Sequence, residues 1–296
     1  MQHIRIGSRG SDLALWQANH VKDQLIALGC SVEIIVITTQ GDAIQHLSFD
    51  KLEGKGFFTK EIEHALLNNE IDLAVHSHKD LETEQPKGLT IAAVSEREDP
   101  ADLLLIRKEK VDSSQLWELI ENAIIGTSSA RRKSQVKGFR PDCQIHDLRG
   151  NVPTRIQKLS DGKYDAILLA KAGVDRLKID LSEFHVEVLD PQEFVPAPAQ
   201  GVLALQIREE DTSLFEIVEK LNHADVQERI GVERKVLNLL QGGCQLPLGV
   251  YCSEQGIVHV SHCQNWEDGA NWYEYESEDL ISLPSIIVED LTSYQD

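Results

Sequence analysis

Ile4-Arg-Ile-Gly7-Ser-Arg-Gly-Ser11-Asp12-Leu-Ala-Leu-Trp16-Gln-Ala-Asn-His-Val21-Lys-Asp-Gln-Leu25-Ile-Ala-Leu28-Gly29 reads as one strand, one turn and one helix. Ile4–Gly7 is short and apolar, and Gly7–Ser11 is a turn. From Asp12, the residues Leu13, Trp16, Val21, Leu25 and Leu28 recur near helical spacing until Gly29 stops the run. The same alternation continues along the chain. Strands are expected at 32–39, 72–76, 89–94, 103–106, 123–126, 144–148, 165–170 and 202–208. Helices are expected at 59–68, 114–122, 129–138, 153–159 and 214–222. An α/β fold around mostly parallel sheets follows. Linkers are expected at Glu96–Ala101 and Asp190–Pro198.

A chain of 296 residues exceeds one ordinary core, so two or three domains are expected. No apolar run approaches bilayer length, and the first residues lack the pattern of a secretory signal. Five cysteines without a CxxC pair argue against a disulfide framework or a zinc knuckle, and point to a reducing, cytoplasmic setting. The net charge of −20 speaks against nucleic-acid and anionic-membrane partners. That charge is unevenly spread. Residues 236–296 hold ten Asp or Glu and no Lys or Arg, whereas 126–178 hold twelve Lys or Arg and five Asp. Composition leaves two readings of this basic island, a solvated face or a pocket for a polyanion.

The arginines favour the pocket. Arg9 sits in the first strand-to-helix turn, Arg131 and Arg132 follow Gly126-Thr-Ser-Ser129, Arg149 lies in Leu148-Arg-Gly-Asn151, and Arg176 follows the strand at 165–170 and a loop, Lys171-Ala-Gly173. Such turns collect at the carboxyl ends of parallel strands, where helix N-termini favour anions and guanidinium groups orient carboxylates. No P-loop pattern is present. Lys79 and Asp80 end another apolar strand. His76 and His78 have a spacing that permits metal, but nothing completes a metal site, and none is expected. Cys244 lies on a glycine-flanked loop before Pro247, a setting for an accessible nucleophile or attachment point.

Taken together, Gly7-Ser-Arg-Gly-Ser-Asp-Leu-Ala-Leu-Trp-Gln17, Lys55-Gly-Phe-Phe-Thr-Lys-Glu61, Val75-His-Ser-His-Lys-Asp80, Gly126-Thr-Ser-Ser-Ala-Arg-Arg132, Leu148-Arg-Gly-Asn-Val-Pro-Thr-Arg155 and Gly242-Gly-Cys-Gln-Leu-Pro-Leu-Gly249 resemble the porphobilinogen deaminase family. The resemblance runs from residue 4 to about 250. It implies two lobes like type II periplasmic binding proteins (1–97 with 194–216, and 98–193) and a small α+β domain at 217–296. It also implies hydroxymethylbilane synthase activity in porphyrin and haem biosynthesis. Four porphobilinogen molecules are joined head to tail on a dipyrromethane cofactor held by a thioether to Cys244. By the same resemblance Asp80 is catalytic, stabilising a cationic azafulvene as a buried carboxylate. Lys79, Asp80, Thr127, Ser128, Ser129, Arg131, Arg132, Arg155, Ala170 and Gly173 contact the cofactor, while Arg9, Ser11, Gln17, Arg149, Arg155, Arg176, Gln200 and Gly201 contact substrate. The protein is then a monomer. Three departures stand out: Leu81-Glu82 where the family usually has Val-Pro, His78 for a commoner apolar residue, and Ala199 for a glycine. A solute-binding module and a phosphate-ester enzyme are the rival readings.

Overall fold

The computed structural model describes residues 2–39, 59–242 and 245–293. These divide into two compact units, one of residues 2–39, 59–98 and 200–228, the other built from 99–199 and 229–293.

The first unit is a five-stranded sheet with helices. Its elements are β1 (His3–Ser8), α1 (Asp12–Ala27), β2 (Ser31–Val36), α2 (Lys60–Leu67), β3 (Leu73–Ser77) and β4 (Leu89–Val94). The second unit continues with β5 (Asp102–Arg107), β6 (Ile124–Gly126), α3 (Ala130–Phe139), β7 (Gln144–His146), α4 (Val152–Ser160), β8 (Ala166–Ala170), α5 (Lys171–Leu177) and β9 (Phe184–Leu189). The chain then returns to the first unit with β10 (Leu203–Arg208) and α6 (Thr212–Val218). The division between units falls inside α7 (Ala224–Leu239), and β11 (Leu248–Cys252), β12 (Val258–His262), β13 (Asn271–Tyr275) and α8 (Leu283–Ser293) complete the chain.

The strand orders are β2-β1-β3-β10-β4 and β7-β6-β8-β5-β9. In the first, β1 runs parallel to β2 and β3, and β10 is antiparallel to both its neighbours. In the second, β6 runs parallel to β7 and β8, and β5 is antiparallel to both its neighbours. Both sheets therefore have one topology, three parallel strands followed by an antiparallel strand and a fifth. In each sheet four of five strands share one direction, as expected, and one reversed strand, β10 or β5, makes the sheet mixed. The antiparallel three-stranded sheet β11-β12-β13 packs its apolar face with Val232, Val236, Ile287 and Leu291, giving a small α+β core.

Three local expectations change. Residues 114–122 form no α-helix, only a short 3-10 turn at Leu116–Glu118 in which Trp117 has φ 60°. Lys171-Ala-Gly173 opens helix α5 instead of forming a loop. Strand β9 and the three strands after residue 247 join those expected from the sequence.

Candidate active site

The parallel strands bring their turns to one edge of each sheet. In the first unit, β1 hands over to α1 through Arg9 and Ser11, and Ser11 caps the helix by accepting from the Ala14 N–H at 3.4 Å. Strand β3, beside β1, ends at Ser77, after which His78–Asp80 form one 3-10 turn. Arg9, Ser11, Gln17, His76 and Asp80 line one cavity of about 80 Å³. Buried Gln17 donates from Nε2 to Ser77 Oγ at 2.8 Å, tying α1 to the end of β3. Lys79 Nζ donates to Gln200 Oε1 at 3.1 Å. Asp80 itself is exposed, not buried as the resemblance had suggested; a one-turn helix at a strand end carries it beyond the sheet.

Gly201 holds a backbone with φ +91°, and a Cβ there would collide with the carbonyl oxygen of Glu98. Ala199 has φ 60°, the left-handed conformation that suits the glycine usual in the family. Its backbone keeps that shape while its N–H donates to buried Glu233 at 2.7 Å.

In the second unit, Thr127, Ser128 and Ser129 form the turn from β6 into α3. Ser129 caps α3 by accepting from the Arg132 N–H, and Ser128 exchanges two 3.0 Å hydrogen bonds with the Leu148 backbone at the next turn. Asn151 caps α4 with Pro153 in its first turn, and neither α3 nor α4 has an acidic residue in that turn. Arg155 Nε donates to Gly150 O at 2.7 Å, and Lys158 donates to Arg149 O at 2.8 Å. From β8, Ala170 leads into α5, which carries buried Gly173 and Arg176.

Arg131 and Arg132 are buried, and both embrace Asp102, which is fully buried. Arg131 reaches Oδ2 at 2.8 Å, and Arg132 reaches Oδ1 at 2.7 Å and Oδ2 at 3.2 Å. Their remaining contacts go to the carbonyls of Val195 and Leu168. Burial works against the charge on Arg131, and Asp102 offsets it. Two arginines against one carboxylate leave one net positive charge. Asp102 was missed from sequence; its signal was an acidic residue heading an otherwise apolar strand.

Cys244 lies outside the described residues, as do residues 55–58 of the Lys55–Glu61 motif. The flanks of Cys244 are described. Gln241, with φ 51°, and Leu246 belong to the wall of an open pocket of about 390 Å³. Cys30, Cys143, Cys252 and Cys263 are buried free thiols, and burial pushes the Cys143 thiol up to about 11. They are not poised as nucleophiles.

The family profile described as "Porphobilinogen deaminase, dipyromethane cofactor binding domain" matches residues 4–216. A porphobilinogen deaminase of Bacillus mycoides is 46% identical over 91% of this chain and 87% of its own length. The chain belongs to the porphobilinogen deaminase family. Another member, from Syntrophomonas wolfei subsp. wolfei, is 46% identical over 94% of this chain and 90% of its own length. Among solved structures, a Salmonella typhimurium periplasmic binding protein with high arginine specificity aligns at 9% identity and a TM-score of 0.42, covering 75% of this chain and 92% of that one.

The dipyrromethane of this family bears carboxylate side chains. The donor set of the second unit fits such a group: helix N-termini without acidic residues, the Ser129 hydroxyl and the Asn151 amide at their caps, and arginines beside them.

Proposed function

We propose that this chain is a porphobilinogen deaminase, or hydroxymethylbilane synthase, that joins four porphobilinogen molecules head to tail, releases one ammonia per addition, and frees linear hydroxymethylbilane by hydrolysis. The observation that carries this reading is Asp80 on the wall of the same cavity as Arg9, Ser11 and Gln17, in a chain matched to the family over residues 4–216. A porphobilinogen presents two carboxylates around a pyrrole that becomes positive as ammonia leaves. One carboxylate facing the ring and cations facing the periphery is the charge pattern such a reaction needs.

Asp80 accepts the pyrrole N–H and stabilises the positive charge as the carbon–nitrogen bond breaks and its electron pair leaves with nitrogen. Arg9, Arg149, Arg155 and Arg176 pair with acetate and propionate groups, while Ser11, Gln17, Gln200 and Gly201 position substrate. The cofactor ligands of this reading are Lys79 and Asp80 in the first unit and Thr127, Ser128, Ser129, Arg131, Arg132, Arg155, Ala170 and Gly173 in the second. When bound through a thioether at Cys244, the dipyrromethane supplies the pyrrole carbon on which the chain grows. The same reading has a monomer acting in the cytoplasm, with lobes at 1–97 with 194–216 and at 98–193 and a cofactor-attachment domain at 217–296. No described helix is long and apolar enough to cross a membrane.

Intact-mass analysis tests the reading. Wild-type protein should carry an added dipyrromethane mapping to the peptide of Cys244, and Cys244→Ser should lack it and turn over no porphobilinogen. The other four cysteines should tolerate serine in activity, at some cost in stability because they are buried. Full loading of the Cys244→Ser variant would transfer the attachment elsewhere.

A further inference from the structure

His76 is buried, lines the cavity with Asp80, and has no role in the chemistry described so far. A chain of amides fixes its proton. Gln85 donates from Nε2 to the Glu82 carbonyl at 3.2 Å, so its Oε1 is free to accept. Gln206 donates from Nε2 to that Oε1 at 2.7 Å, and also to Glu63 Oε1 at 3.2 Å. The Oε1 of Gln206 therefore faces His76 Nε2, at 3.1 Å, and accepts from it. The proton sits on Nε2, and Nδ1 keeps a lone pair with no hydrogen-bond partner among the described residues.

We propose that His76 is a substrate-orienting residue of the deamination step, its Nδ1 accepting an N–H from the aminomethyl ammonium of porphobilinogen while Asp80 takes the pyrrole N–H. This rests on the function proposed above. The leaving group must depart as neutral ammonia, with the carbon–nitrogen pair going to nitrogen and all three N–H bonds retained. A partner that removed a proton first would leave an amide ion to expel, a far poorer leaving group. Burial lowers the pKa of His76 to about 4, whereas an alkylammonium titrates near 10. The imidazole thus orients the ammonium without deprotonating it. It differs from Lys79, which has only donors to offer.

Two variants of the cofactor-loaded enzyme read this directly. A glutamine amide overlies Nε2 and keeps the contact to Gln206, whereas an asparagine amide overlies Nδ1 and keeps an acceptor there. His76→Gln should slow single-turnover ammonia release from porphobilinogen by roughly 10- to 100-fold, the range for one hydrogen bond to a charged group. Its melting temperature and cofactor mass should stay near wild type. His76→Asn should melt lower yet release ammonia faster than His76→Gln. The reverse order, with His76→Gln near wild type, would show a purely structural histidine and overturn the proposal. Should either variant fail to fold, nitrogen-15 imidazole spectra of the wild-type protein at neutral pH decide. A protonated Nε2 with an unprotonated Nδ1 is expected, and the opposite tautomer overturns the proposal without any variant. Wild-type ammonia release separates the two readings. None at all overturns the proposed function, whereas normal wild-type release with a normal His76→Gln overturns the role of His76 alone.

Discussion

At the scale of single residues, charge and backbone geometry make separable demands. Asp80 is exposed on a one-turn helix, so its neutral amide should cost little stability. Asp80→Asn should therefore fold, keep its cofactor and lose on the order of a hundredfold in ammonia release, the usual loss when one preorganised charge is removed from a developing opposite charge. Single-turnover assays beside circular dichroism check this; a folded, loaded variant with near-normal release would move the catalytic role to another group. Gly201 behaves in the opposite way. Its positive φ and its closeness to the Glu98 carbonyl leave no room for a methyl, so Gly201→Ala should cost roughly 2–3 kcal/mol in urea unfolding. Because Gln200 precedes it and holds Lys79, turnover should fall too.

At the scale of elements, the strand-to-helix turns were legible because their chemistry is local. The helices expected at 129–138 and 153–159 form as α3 and α4, capped by Ser129 and Asn151, and Pro153 fits the first turn of α4. The failures mix local and distant causes. The expected helix at 114–122 does not form because Asp112 captures Ser114 through its carboxylate, and Arg140 takes the carbonyls of Leu116, Leu119 and Ile120. That arginine is more than twenty residues away from two of them in sequence. Gly173 disguised α5 as a loop, since a glycine inside a helix is weak by propensity and tolerated only through packing. The arginine pair shows the same limit. Sequence marks Arg131 and Arg132 as anion ligands, but only the fold reveals that Asp102 already holds them. Asp102→Ala should consequently destabilise by about 3–5 kcal/mol, because two guanidinium groups would remain buried around no carboxylate. Arg155, half-buried and turned back to Gly150, should tolerate leucine in stability while losing cofactor retention. Urea titration of the apo-proteins and intact mass of the holo-proteins distinguish the two losses.

At the scale of the molecule, two acid transitions are superimposed on a strongly negative chain. With a net charge of −20, self-repulsion relaxes as pH falls toward the isoelectric point near 4.9, which favours the compact state. His76 acts in the other direction. Its folded pKa is about 4 against an ordinary 6.5, so between those values the unfolded chain binds the proton that the folded chain refuses. Stability present above pH 6.5 is lost as pH falls to about 4, by about 3 kcal/mol. Asp72 follows at lower pH. Burial raises its pKa, but hydrogen bonds from Arg5 and Arg208 outweigh that and bring it down to about 2 from an ordinary 3.8. Its contribution, about 2 kcal/mol, is complete above pH 4 and disappears toward pH 2. Glu63, raised by burial and linked to His76 through Gln206, opposes the loss. These terms remain when His76 is replaced by glutamine. Subtracting the urea-unfolding stability of His76→Gln from that of wild type, pH by pH at constant salt, should therefore leave a curve that is flat above pH 7 and falls between 6.5 and 4. A difference that stays flat through that window would mean that His76 is protonated as readily in the folded protein as in the unfolded chain, and its weakly basic Nδ1 would be lost with it.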